Sequence, residues 1–231
     1  MLVEYKNVDL YQKEQLVLKD VNFCVDESEF IYLTGKVGTG KSSLLKTMYG
    51  ELPIKSGEAI VLDYNMATLK RKHIPDLRKQ LGIIFQDFQL LSDRTIYANL
   101  EFVLKATGWK KKEEINHRIN EVLEIVELTD KIDKYPHELS GGEQQRISIA
   151  RAILNNPKII LADEPTGNLD RETSKKIITI LRAISRKGTA VIMSTHNLDL
   201  LQQYPGIIYR CEDFALNEVT EEYNSPIELD E

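Results

Sequence analysis

Apolar and polar residues alternate in short bursts over residues 2–33, with Val3, Tyr5 and Val8 and then Val21, Phe23 and Val25 as the apolar members. A period of two marks half-buried strands and predicts an antiparallel β region at the start of the chain. The pattern then changes. Residues 30–34, 158–163 and 189–195 are nearly continuous apolar runs, the form taken by central strands of a parallel sheet covered on both faces. Ile115, Ile119, Val122, Leu123 and Val126 recur on one helical stripe, and residues 88–157 as a whole carry no strand-like run. These periods predict an α/β fold in one domain. Residues 1–87 and 158–225 form a core with a mainly parallel sheet, 88–157 an inserted helical lobe, and 226–231 a frayed acidic tail.

Charge refines this picture. The net charge is -6, but eight of the 36 acidic residues fall in 211–231, where there is no Lys or Arg. The rest of the chain therefore carries 30 basic against 28 acidic residues, with basic clusters at 70–73, 78–79 and 110–112. No aromatics are interleaved with these clusters as a stacking platform would need, so nucleic acid is not an expected partner. No run approaches the roughly 18 apolar residues of a membrane-spanning helix, and the first residues lack the layout of a signal peptide. A cytoplasmic chain without direct membrane insertion is expected. Cys24 and Cys211 have no CxxC spacing and no nearby His cluster, and read as buried or idle thiols rather than a disulfide or a zinc site.

The chemistry starts at the end of the first apolar run. Gly35, Lys36, Val37, Gly38, Thr39, Gly40, Lys41 and Ser42 fit G-x-x-x-x-G-K-[ST], between a strand and a helical run that opens with Ser42 and Ser43, which is the context the motif requires. The glycines let successive N–H groups point at the β-phosphate, Lys41 supplies charge to the β- and γ-phosphates, and the Ser42 hydroxyl takes a Mg²⁺ position. Asp163 ends the second apolar run, so its carboxylate emerges at the same sheet edge, placed to hold the metal. Glu164 follows as a candidate base for the attacking water. His196 ends the third run at that edge, as a γ-phosphate contact and orienter of the water. His73, His117 and His137 have no such address.

A second string, Leu139, Ser140, Gly141, Gly142, Glu143, Gln144, Gln145 and Arg146, opens an amphipathic helix with a small polar residue and two glycines. It is a second anion site of the same physical type. Together with Gln86, Asp163-Glu164, residues 167–170 and His196, these motifs resemble the ATP-binding cassette of ABC ATPases over nearly the whole chain. The resemblance implies a P-loop NTPase core of the ABC ATPase fold and a homodimer on ATP binding, in which the 139–146 signature faces the γ-phosphate held by the other subunit. It also implies that Gln86 contacts Mg²⁺ and water and signals to an integral membrane subunit, that Tyr11 stacks on adenine, and that Asp170 links the two sites. The stretch 161–170 looks like the branch holding cell-division, lipoprotein-releasing and macrolide-export ATPases. Residues 85–91 and 93–99 look most like the cell-division members, the FtsE family, which implies an FtsX-like permease as partner and a peripheral place on the inner face of the plasma membrane. Asp87 and residues 93–97 would then belong to the docking surface, with Arg94 and Tyr97 as anchors.

Three departures stand out. Lys36-Val37 replaces a small or polar pair and Asn197 replaces an Asp after the histidine, both without effect on the chemistry. Residues 212–214 (Glu-Asp-Phe) lack the expected Asp-Gly turn, which leaves the C-terminal fold open. A P-loop kinase would have no use for the 139–146 signature. A chromosome-type ABC ATPase would need a long coiled coil, for which there are no heptads. An exporter of lipoproteins or macrolides is the alternative to the division role, since the ATP site is the same in both.

Overall fold

The structure, a computed structural model, describes residues 1–224; the tail expected over 226–231 lies outside the described residues. In chain order the elements begin with β1 (Val3–Gln12), β2 (Gln15–Val25), β3 (Phe30–Thr34) and α1 (Lys41–Met48). Next come β4 (Glu58–Val61), β5 (Tyr64–Asn65), α2 (Ile74–Lys79) and β6 (Leu81–Ile84). The helices α3 (Ile96–Ala106), α4 (Lys112–Ile125) and α5 (Gly141–Ala152) follow with no strand among them. The chain returns through β7 (Ile159–Asp163), α6 (Arg171–Ser185), β8 (Ala190–Ser194), α7 (Leu198–Gln203), β9 (Ile207–Glu212), β10 (Ala215–Glu218) and α8 (Thr220–Asn224).

The strands make two sheets, an antiparallel one ordered β2-β1-β4-β5 and a six-stranded one ordered β10-β9-β3-β8-β7-β6. In the second sheet β9, β3, β8, β7 and β6 run parallel and only β10 is antiparallel. The continuous apolar runs are explained by what lies on either side. Ile31, Leu33, Ile159, Leu161, Ala190 and Ile192 pack with the antiparallel sheet and α1. Phe30, Tyr32, Ile160, Ala162, Val191 and Met193 pack with α5, α6 and the lobe helices. Successive side chains point to opposite faces of a strand, so a strand covered on both faces must be apolar throughout.

At the C-terminus β9 and β10 form a hairpin whose turn residues Asp213 and Phe214 have φ of 48° and 62°. The two-residue turn that favours Asp-Gly is therefore present with Phe in the glycine position. Phe214 is exposed, and its carbonyl accepts the Lys19 N–H of β2, tying the hairpin to the antiparallel sheet.

Parallel order fixes where the loops emerge. The C-terminal ends of β3, β7 and β8 lie side by side, with Asp163 in register with Ser194 and Ser194 with Leu33. Ile84, at the end of β6, pairs with Ala162. The loops beginning at Gly35, Glu164, Thr195 and Phe85 thus share one sheet edge, where open α/β sheets bind ligands.

Candidate active site

The loop after β3 is clamped before it turns. Gly35 has φ 134°, and a Cβ there would lie 2.3 Å from the Cys211 carbonyl oxygen of β9, so only glycine fits. The loop ends in α1, which has no side-chain cap and no acidic residue in its first turn, leaving its N–H groups free for an anion. Lys41 is 5% exposed, and its ammonium donates to the carbonyls of Gly35 (2.7 Å) and Lys36 (2.9 Å). It is thus drawn back over the loop. Cys211 itself is buried, which pushes its thiol up to about 12.

Two hydroxyls, one at the end of this loop and one on β8, hold Asp163 and Glu164. The hydroxyls of Ser42 (2.9 Å) and Ser194 (2.7 Å) both donate to Asp163 Oδ1. Ser194 Oγ in turn accepts the Glu164 N–H at 2.8 Å. Glu164 adopts φ 45°, a left-handed conformation that costs free energy in a residue other than glycine; such strain collects at functional sites. Its carbonyl accepts the Gly167 N–H at 3.0 Å, closing the turn. Its Oε2 lies 2.6 Å from His196 Nδ1. Gly167 passes so near that a Cβ there would sit 3.3 Å from Glu164 Oε2 and 3.5 Å from Gln86 Nε2. Gln86 and Glu164 therefore face the same space. A cleft of about 690 Å³ lies there, lined by the phosphate loop, Ser42, Ser43, Gln86, Glu164 and His196.

The signature lies elsewhere. Ser140 caps α5, its Oγ accepting the Glu143 N–H, while its own N–H donates to Glu143 Oε2 at 2.8 Å. These bonds, the backbone one foremost, hold the Glu143 carboxyl below its ordinary range. Gly142 meets the start of α6 so closely that a Cβ would lie 2.4 Å from Thr173 Cγ2. Asp170 caps α6, accepting the Thr173 N–H (2.9 Å) and hydroxyl (2.6 Å), and the hydroxyl bond above all holds its carboxyl low. Ser140, Gly141, Gly142 and Asp170 form a second locus, none of them lining the cleft.

Residues 18–167 match the family model described as ABC transporter. The chain is 41% identical to the cell division ATP-binding protein FtsE of Streptococcus pneumoniae over 201 residues, 87% of each chain. It is 46% identical to FtsE of Mycobacterium tuberculosis over 180 residues, 78% of each. The chain belongs to the ABC transporter family. Among solved structures, the ATP-binding cassette MJ0796, a dimer in a post-hydrolysis state bound to ADP and Pi, superposes with a TM-score of 0.83 at 33% identity, covering 94% of this chain and 98% of that one.

Within this ABC cassette, Tyr11 is half-buried on β1 with Lys55 Nζ 5.2 Å from its ring centroid, and its neighbour Gln12 lines the cleft. Two side chains escape motif reading. Gln12 lines the cleft without belonging to any of the motif strings. Ser194 is buried and holds both Asp163 and Glu164; the signal that could have found it is a hydroxyl inside an otherwise apolar strand run. Tyr97 is half-buried: its hydroxyl donates to Asn116 Oδ1 of α4 at 2.7 Å and its ring packs against the lobe core, so it serves at least in part to join α3 to α4. Arg94 is exposed, its guanidinium 5.1 Å from the centroid of Phe102, which is half exposed.

Proposed function

We propose that the chain is the ATP-hydrolysing subunit of an ABC-type membrane complex. It is a single ATP-binding domain, with 1–87 and 158–225 as core and 88–157 as helical lobe. The observation that carries the reading is the convergence of Ser42 with Asp163, and of Glu164 with His196, at the mouth of the phosphate loop.

The loop N–H groups of residues 35–43 and the start of α1 cradle the β-phosphate, and the Lys41 ammonium exchanges the Gly35 and Lys36 carbonyls for phosphate oxygens. Ser42 Oγ and the Asp163 carboxylate are hard oxygen donors already in contact, and Gln86 adds an amide oxygen. Among the described residues no group of three or more His, Cys, Asp or Glu side chains could hold a metal. That donor set fits Mg²⁺, which keeps water and substrate phosphate as most of its ligands. Bound there, Mg²⁺ would neutralise charge on the β- and γ-phosphate oxygens. Glu164 orients the attacking water and takes its proton, while His196 fixes the carboxylate and reaches the γ-phosphate. Tyr11 stacks on adenine.

Ser140, Gly141 and Gly142, standing apart from their own cleft, serve the γ-phosphate of a second copy docked head to tail, with Asp170 beside them linking the two sites. Among the described residues no helix is long and apolar enough to cross a membrane. The cassette is held on the inner face of the plasma membrane by an integral membrane subunit. The identity to FtsE proteins supports an FtsX-like permease that carries the ATP-driven stroke to cell-wall hydrolysis in division.

Glu164→Gln tests the site. Nucleotide affinity is expected to persist while turnover falls on the order of a hundredfold or more, and ATP-Mg should trap a dimer seen by sedimentation. Lys41→Ala should abolish nucleotide binding. Near-normal turnover in either variant overturns the assignment.

A further inference from the structure

The signature helix carries two side chains that the reaction described above does not use. Gln145 is fully buried, and its Nε2 donates to the carbonyl of Pro165, the residue after Glu164, at 2.8 Å. Its Oε1 has no hydrogen-bond partner among the described residues. The amide orientation is forced, because Pro165 offers only an acceptor. At the far end of α5, the half-buried Arg151 donates to the carbonyls of Phe88 (2.8 Å) and Gln89. Phe88 and Gln89 have φ of 60° and 51°. Two successive left-handed residues, neither of them glycine, form a strained turn that persists only where its surroundings hold it. Here the holder is the guanidinium fork. That turn starts two residues after Gln86.

One helix thus carries Ser140–Gly142 at its start, a tether to the Glu164 loop in its middle and a tether to the Gln86 turn at its end. At 1.5 Å per residue it is a short rod that moves as a unit. The orphaned Gln145 Oε1 adds a direction. A buried acceptor without a donor penalises the arrangement in which it occurs, and favours one in which a shift of the rod against the loop supplies the donor.

We propose that Gln145 and Arg151 are positioning residues that make α5 a coupling rod. When Ser140–Gly142 engage the phosphates held by a second copy, the rod shifts the loops carrying Glu164 and Gln86 in its own subunit. The inference rests on the head-to-tail dimer proposed above.

The test isolates the rod from nucleotide in its own site. An isotope-labelled Lys41→Ala chain, unable to bind nucleotide, is mixed with excess wild-type chain and Mg²⁺–AMP-PNP, and amide exchange is read in the labelled chain alone by mass spectrometry. Protection at 140–142 reports engagement of the partner's nucleotide. The expected result is slowing of at least about tenfold at 86–89 and 164–168 as well, although that chain's own cleft is empty. Adding Gln145→Leu to the labelled chain should remove the effect at 164–168 only. Arg151→Met should remove it at 86–89 only, and Arg151→Lys should restore part of it, a selectivity that general destabilisation cannot produce. Protection at 140–142 with unchanged exchange at both loops overturns the coupling and leaves the dimer standing. No protection at 140–142 overturns both.

Discussion

Glu164 is held by its surroundings more than by its own preference. A Glu at φ 45° stays there because Ser194 accepts its N–H, Gly167 closes the turn on its carbonyl, and His196 takes its carboxylate. Ser194 acts twice, since the same oxygen that receives Glu164 N–H donates to Asp163. Removing its hydroxyl would loosen the metal-side carboxylate and the base together. At the second locus, Glu143 shows what a depressed carboxyl means for stability. Its folded value lies below the unfolded one, so its contribution is fully present above the ordinary Glu range and is lost as pH falls through the folded value. Glu143→Gln should therefore lower the melting temperature near neutrality, and the gap from wild type should close on acidification below about pH 4. Parallel melting curves of the two proteins at several pH values check this. A gap independent of pH would assign the effect to packing.

Among the elements, the β9-β10 hairpin carries the most evident misfit between residue and backbone. Phe214 at φ 62° occupies a position that asks for glycine, is 58% exposed, and contributes to the fold chiefly through its carbonyl bond to Lys19. A left-handed conformation costs a residue with a Cβ about 1–2 kcal/mol. Part of that gain is offset by glycine's greater freedom in the unfolded chain, worth about 0.5–1 kcal/mol. Phe214→Gly is expected to stabilise the protein by about 0.5–1 kcal/mol, read from denaturant midpoints at constant slope. A loss of stability would mean that the ring packs on the body in solution. Helix α4 shows the reverse case, in which sequence and environment agree. Ile115, Ile119, Val122 and Leu123 are buried in the lobe core, and the buried Arg118 spends its donors on the carbonyls of Ile153 and Leu154 and on Asn156, closing the end of the neighbouring segment.

For the whole molecule, the lobe presents an exposed apolar surface beside the Gln86 turn. Leu91 is 37% exposed and Phe102 50%, with Arg94 over the Phe102 ring. Tyr97 is half-buried against the lobe, so the proposed docking surface for a membrane subunit is better drawn through Leu91, Arg94 and Phe102. Leu91→Ser with Phe102→Ser should reduce co-purification of the membrane subunit by an amount typical of lost aromatic anchors, about 2 kcal/mol or more. ATP affinity and melting temperature should stay near wild type. Tyr97→Ala, by contrast, should lower the melting temperature, because it removes a bond between α3 and α4. Undiminished partner binding by the double variant would place the docking surface elsewhere.

Much of the cassette is legible in its one-dimensional pattern, for a physical reason. Strand period, covered apolar runs and the glycine spacing of a phosphate loop are local consequences of pleat, burial and backbone sterics, so they survive in the order of residues. The same holds for Asp163, the last residue of β7, and for His196, two residues past the end of β8 rather than in the strand, whose places at one sheet edge follow once the sheet is known to be parallel. Ser194, Gln145 and Arg151 were out of reach, because their partners lie 20 to 63 positions away in the chain and a polar residue in an apolar run does not say whom it meets. The strain at Glu164, Phe88 and Gln89 was equally hidden. Residue type disfavours those angles, and only the neighbouring carbonyls, hydroxyls and guanidinium supplied by the tertiary structure make them the lower-energy choice.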